Sequence, residues 1–237
     1  MHLARGRVAR RVLIPAATVV FSAGILLSAV LYYSDKPAVD LKRAVISNLA
    51  RPTDNPRGYL AAGFGMAFCG LLLIPAALWF YRVLGGLRAG AAALGLWLFG
   101  AGLSGAVFIG FMAPFQDAYS GVHIYVAYAT FLFMALGTLV WMAMATRASL
   151  RAGGGRGLLA ALIAEAMGAA FLLYMTAGMV VPFGPDFFDD SSLPRSAAVC
   201  EWVLCAGNVI YLFILGAAVE RVEALTTGAE AASAQSR

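Results

Sequence analysis

The sequence predicts an all-α fold, a polytopic transmembrane bundle of six helices, and three observations carry that reading. Of 237 residues, 62% are apolar and only 12% charged, where globular domains carry about 25% charged residues; mean hydropathy is +0.82. The apolar residues gather in six blocks of about 20, each long enough to cross about 30 Å of hydrocarbon. The blocks are unbroken and do not alternate. In hydrocarbon every backbone amide must be paired within a helix or a closed barrel, and barrel strands alternate, so these runs are helices.

The spans fall near residues 12–33, 58–82, 91–112, 121–145, 157–181 and 197–219. Arg5, Arg7, Arg10 and Arg11 before the first span resemble the basic start of a signal peptide. Its apolar run exceeds the usual signal core, however, and ends on the interfacial pair Tyr32 and Tyr33, which predicts a retained helix. Residues 1–237 form one integral membrane domain, with 1–11 a cytoplasmic lead-in. Residues 221–237, rich in Ala, Ser, Thr and Glu, form a disordered cytoplasmic tail. Small residues four apart, as at Gly63 and Ala67, Ala101 and Gly105, Ala106 and Gly110, and Ala164 and Gly168, predict close helix contacts. Pro75 is expected to kink the second span, whereas Pro15 is tolerated in the opening turn of the first.

A formal charge of +5 does not imply nucleic acid, because the basic residues sit between apolar spans and form no stripe. They report orientation. With six spans, eleven of the seventeen Lys and Arg residues share the face that holds both termini, and all seven Asp lie on the other. The excess of basic residues puts both termini in the cytoplasm. Arg greatly outnumbers Lys, and Ala and Gly abound, a composition pointing to a bacterial inner-membrane protein. Cys69, Cys200 and Cys205 lie inside spans and imply no disulfide framework.

Polar residues inside spans are the informative ones, since an ionisable group in hydrocarbon costs about 2.5–3.5 kcal/mol. Glu165, Asn208 and Thr130 all fall near mid-bilayer at 1.5 Å per residue, so they are candidates for one buried polar layer. A hydrogen bond that glues helices is the plain reading, a proton-coupling site the other. Nearer the outer surface lie Asp117, Tyr119 and Ser120, His123 opening the fourth span, and Glu201 in the sixth. Glu201, Cys205 and Asn208 at i, i+4, i+7 form one stripe. His123 with Asp117 or Glu201 and Ser120 has the residue types for acid/base chemistry on a lipid, yet an interfacial histidine serving structure fits equally. A single histidine outside the extreme N-terminus is too few for a zinc site, no cofactor is implied, and the Asp186, Asp189 and Asp190 cluster lacks the spacing of a calcium loop.

Several short elements resemble the FRAG/DRAM-type six-helix membrane proteins and their bacterial relatives. The first outer loop has Ile46-Ser47-Asn48-Leu49-Ala50 and then Asn55-Pro56, similar to the Ser-Asp-Leu-Gly element and Asn-Pro of that family. Gly110-Phe111-Met112-Ala113-Pro114 ends span three ahead of His123, and Glu201 opens span six. Asn48 and Ala50 depart from the family's aspartate and glycine, so no carboxylate role is carried into that loop. The resemblance implies involvement with membrane lipids, which in eukaryotic members includes lipid-anchor remodelling and regulation of lipid kinases.

The resulting expectation is a non-catalytic, lipid-associated accessory protein with an outer cavity lined by His123, Asp117, Glu201 and Asn208. A lipid-modifying enzyme using the same residues, or a small transporter around Glu165 and Asn208, are the alternatives. Partners are membrane lipids, with a membrane-protein partner or homodimer allowed by the small-residue stripes. Topology is checked by impermeant thiol labelling of single cysteines at the two chain ends in intact cells: both should be protected, and labelling of either end without lysis contradicts the orientation.

Overall fold

The computed structural model describes residues 6, 8–34, 46–180 and 197–235. Within them the chain is a helical bundle with no strand. A π-helical turn, Ala9–Leu13, leads into α1 (Ile14–Tyr33), with Pro15 in its opening turn. A single helical turn, Ile46–Leu49, precedes α2 (Tyr59–Gly85), which carries Pro75 in its interior. Then come α3 (Ala89–Met112), a 3-10 segment (Ala113–Tyr119), α4 (Ser120–Arg151), α5 (Arg156–Val180) and α6 (Ala197–Gln235).

Among the described residues, four helical stretches are long and apolar enough to cross a membrane, namely Ala9–Tyr33, Tyr59–Gly85, Ala89–Tyr119 and Tyr125–Arg151. Their outward side chains are apolar too: Val19, Val30 and Trp97 are 64%, 65% and 80% exposed. A helix that is apolar all round is not stable facing water and belongs in hydrocarbon. The molecule is therefore an all-α, multi-pass membrane bundle.

Packing follows chain order. The helix α2 lies between α1 and α3, α3 packs on α4, and α6 closes the ring against α4, α2 and α1, leaving α5 outside against α4 and α6. Glycine permits the closest crossings. A Cβ on Gly63 would come 2.7 Å from the Gly110 carbonyl oxygen, and one on Gly24 would lie 2.8 Å from the Gly65 Cα. Gly63 and Ala67 of α2 and Gly110 of α3 thus sit at one helix crossing and Gly105 meets Thr130 of α4, whereas Ala101 is exposed. A Cβ on Gly168 in α5 would meet nothing within 4 Å, so the Ala164 and Gly168 pair makes no such crossing.

The core centres on Trp141, fully buried, with its ring centroid 5.3 Å from both Phe80 and Phe99 and its indole N–H donating to the Ala92 carbonyl at 3.1 Å. An indole inside a membrane needs such a partner. Tyr211 of α6 donates to the Ala161 carbonyl at 2.9 Å, tying α5 to the ring.

The last helix does not stop where its apolar run does: α6 continues to Gln235. Val222 is buried against the core and Glu223 is only 7% exposed, while Ala and Glu are good helix formers, so packing and propensity extend the helix past the hydrocarbon. At 39 residues it would measure about 58 Å.

Replacing Gly110 by Leu should push α2 and α3 apart at a cost of about 1–3 kcal/mol or more. Thermal unfolding in detergent reads this, with Gly100→Leu as control, since nothing lies within 4 Å of that position.

Candidate functional site

At the end of the bundle away from the termini, a cavity of about 100 Å³ lies between α1, α2, α3, α4 and α6. Its wall is almost wholly apolar, with Phe21, Met66, Leu73 and Phe131 among the lining residues. Three side chains bring polar atoms to it: His123 and Thr130 from α4, and Asn208 from α6. Positions 123, 127, 130 and 134 share a face of α4 at helical spacing, so the cavity runs about 16 Å along that helix. A water needs roughly 10–15 Å³ of such volume, so the space suits a segment of an acyl chain or a small polar group.

The three polar groups differ in how they are satisfied. Thr130 donates to the Val126 carbonyl at 2.7 Å. His123 is only 6% exposed, and its Nδ1 has no hydrogen-bond partner among the described residues. Its ring lies 6.1 Å from that of Tyr119, whose hydroxyl donates to the Met112 carbonyl at 2.9 Å. A buried imidazole nitrogen without a partner costs about 1–3 kcal/mol, and such a cost is recovered when a ligand supplies the missing hydrogen bond.

Over the cavity lies the segment 46–58. Ile46 reaches the cavity wall, and Leu49 and Ala50 are fully buried beneath it. Two sets of bonds hold this lid. On the α1 side, the buried Asn55 amide nitrogen lies 2.8 Å from Ser28 Oγ, 3.1 Å from the Ser28 carbonyl and 3.0 Å from the Leu49 carbonyl. Ser28 Oγ donates to that Leu49 carbonyl at 2.9 Å, and the Gly58 N–H donates to Asn55 Oδ1 at 3.0 Å. Gly58 must be glycine, because a Cβ there would sit 2.6 Å from the Asn55 amide nitrogen.

On the other side, Asp117 Oδ1 accepts from Arg51 Nε at 2.7 Å and from Thr53 Oγ1 at 2.9 Å. The Arg51 guanidinium, which also meets Asp54 at 3.5 Å, holds the exposed Asp117 carboxyl below its ordinary range, with Thr53 adding to the effect. Asp117 therefore fastens the lid to the segment between α3 and α4.

The structure thus brings His123, Thr130 and Asn208 together at one cavity and puts Asp117 on its lid. Glu165 goes elsewhere: it is 9% exposed, and its Oε1 lies 2.5 Å from the Thr138 hydroxyl, at the α4–α5 contact. The expected layer of Glu165, Asn208 and Thr130 therefore divides into two places, because the inward face of α5 meets α4 outside the ring. The side chains of Glu201 and Ser120, the Asp186, Asp189 and Asp190 loop, and Cys200 lie outside the described residues. Among the described residues no three His, Cys, Asp or Glu side chains converge on a metal position. Sequence reasoning passes over Ser28, Arg51 and Thr53. A serine within an otherwise apolar span is the available sign of the first, while the other two stand in a turn-rich stretch whose sequence gives no link to Asp117.

Over residues 10–217 the sequence matches the family described as the Frag1/DRAM/Sfk1/Cwh43P N-terminal domain. No curated protein and no solved structure matches the chain.

Asn55→Ala should cost about 1–3 kcal/mol through the groups it leaves unpaired and open the lid. In a Cys200→Ser background, modification of the cavity thiols Cys69 and Cys205 by a membrane-permeant maleimide should then accelerate several-fold. A carboxyl with a depressed pKa stabilises above its unfolded value and loses that contribution as pH falls through the folded one. Acidification slows maleimide chemistry in every variant by removing thiolate, so the quantity to follow is the parent rate relative to Asp117→Asn, which should rise as pH falls; equal rates in all variants would remove the lid.

Proposed function

This chain belongs to the Frag1/DRAM/Sfk1/Cwh43P N-terminal domain family, and from that premise we propose that it is a lipid-recognising accessory protein of the cell membrane. It crosses six times, with both termini in the cytoplasm of a bacterial cell, and its cavity faces the outer leaflet. The apolar wall takes part of a lipid chain, while His123, Asn208 and Thr130 meet the polar group where chain and headgroup join.

The observation that carries this reading is the unpartnered Nδ1 of His123 in the wall of an otherwise apolar cavity. Small-molecule sites have this composition, largely apolar with a few placed polar groups. An imidazole nitrogen accepts from a hydroxyl or amine, or in the other tautomer donates to an ester carbonyl, and these are the groups at the junction of a glycerolipid. The lid adds a means of closing the site from the aqueous side.

The Asp117 arm of the catalytic reading draws no support from the structure, while the Glu201 side chain, its other arm, lies outside the described residues. A histidine base needs a carboxylate to orient it, and the Asp117 oxygen that the enzyme reading would use is engaged by Arg51 and Thr53. The transporter reading draws no support from the cavity, since Glu165 lies at the α4–α5 contact. Six crossings are supported by α5 and α6, which pack on α4 as the four apolar stretches pack on one another.

Purified protein incubated with phosphatidylethanolamine liposomes and then washed should retain lipid. His123→Ala and Asn208→Leu should each weaken retention by up to about tenfold, the worth of one buried hydrogen bond, with no hydrolysed or acyl-transferred product in any sample. Product formed by the parent and lost in His123→Ala would favour the enzyme, and undiminished retention by both variants would sink the recognition reading.

A further inference from the structure

The end of the bundle that carries the termini holds a second and unrelated feature. Between the α2–α3 turn, the last turns of α4 and the distal part of α6 lies an open groove of about 860 Å³. Its rim carries three arginines: Arg88 from the turn, and Arg147 and Arg151 from α4. Its floor includes Val140, Met144 and Leu225. Among the described residues, none of the three guanidinium groups is paired with a carboxylate. The two described acids of this part of α6 are committed elsewhere, and the Glu230 side chain lies outside the described residues. Glu220 pairs with Arg10, and Glu223 is buried at the side of Trp79 and Gly6.

We propose that this groove binds an anionic phospholipid from the adjoining leaflet, its phosphate held by Arg88, Arg147 and Arg151 and one acyl chain laid along Val140, Met144 and Leu225. The charges are not there to stabilise their helices. Arg88 is the N-cap residue of α3, it makes no side-chain cap, and the first turn of α3 contains no acid. A cation there faces the positive end of the helix dipole, which is the unfavourable sign. An anion reverses that sign and meets the free N–H groups of the same turn. Arg151 does suit the C-terminal end of α4, but Arg147 stands a full turn earlier, on the face that also carries Val140 and Met144.

The shape selects a lipid over a soluble anion. From Arg151 to Val140 the lining of α4 extends eleven positions, about 16 Å, and the floor over that length is apolar. A free phosphate would need only the rim. A phospholipid uses both parts, and the volume falls within the roughly 300–1,000 Å³ of small-molecule sites. Each basic residue near an anionic membrane surface strengthens attraction about fivefold, so three give on the order of a hundredfold. This inference rests on the membrane placement of the bundle and not on the His123 cavity.

The test titrates the purified full-length chain, in neutral detergent, with phosphatidylglycerol, phosphatidylcholine and glycerol phosphate, reading bound lipid by native mass spectrometry. Phosphatidylglycerol should bind at least tenfold more tightly than either of the others. The triple variant Arg88→Gln, Arg147→Gln, Arg151→Gln should lose that preference, while Arg82→Gln with Arg156→Gln, and separately His123→Ala, should keep it. Should the triple variant fail to fold by its thermal transition, Arg147→Gln alone should weaken phosphatidylglycerol about fivefold. Equal binding of the two lipids, saturation by glycerol phosphate, displacement of the lipid by an acidic peptide, a preference surviving the triple variant, or its loss in the Arg82 and Arg156 control would each overturn the proposal.

Discussion

The side-chain amide of Asn55 is the constraint on which the site depends. Segment 46–58 has only one helical turn of its own, so its buried backbone groups need partners from outside regular structure. The amide answers at three points at once, taking the Leu49 and Ser28 oxygens on its nitrogen and the Gly58 N–H on its oxygen. An amide group has two donors and an acceptor oxygen, and no other uncharged side chain of that size supplies both. Because Ser28 belongs to α1 and Gly58 precedes α2, the same bonds fix the angle at which the chain enters the second helix. The apolar residues Ile46, Leu49 and Ala50 follow this framework into the interior, where Ile46 forms part of the cavity wall.

Below the lid, helix spacing is set by what the crossings lack. Gly105 of α3 faces Thr130 of α4, and Gly102 faces the Thr130 carbonyl and Met134. With a side chain at either glycine, α4 would stand off and Thr130 and Met134 would leave the cavity wall. Dispersion is the main attraction between helices in lipid, and it falls steeply with distance. Close crossings of this kind therefore determine both how firmly the bundle holds and where its polar residues converge.

The fold is legible in the sequence because its signal is collective: a run of twenty apolar residues has one physical outcome in a membrane. Helix ends are less legible. Hydropathy ends the sixth span at residue 219, but Val222 packs inward and the helix persists, a tertiary effect that hydropathy does not record. The site is legible in part. His123, Thr130 and Asn208 stand out as rare polar residues in apolar spans, and their helical positions allow convergence without specifying it. Glu165 stands out for the same reason and turns to Thr138 instead, because facing depends on how α5 leans on α4, which no local pattern encodes. Asp117 is conspicuous as a carboxylate near a histidine. Its real neighbours, Arg51 and Thr53, are more than sixty residues away in sequence, a pairing that only the folded lid creates.

The two ends of the bundle divide electrostatic labour in a way that follows from the sequence distribution of charge. At the lid end, the described charges are largely mutually compensated: Arg51 is shared between Asp117 and Asp54, and the cavity beneath offers neutral hydrogen-bonding groups. A site of that kind discriminates by shape and by a single hydrogen bond, and its selectivity is insensitive to salt. At the end with the termini, the short turns carry no acid, and among the described residues Arg88, Arg147 and Arg151 pair with no carboxylate over an apolar floor. Such a cluster discriminates by charge, weakens as the Debye length shortens, and is strongest where anionic headgroups concentrate. On the proposed orientation, the basic excess that sets the direction of insertion is the same charge that would hold an anion at this end. One feature of the sequence would then serve both orientation and recognition.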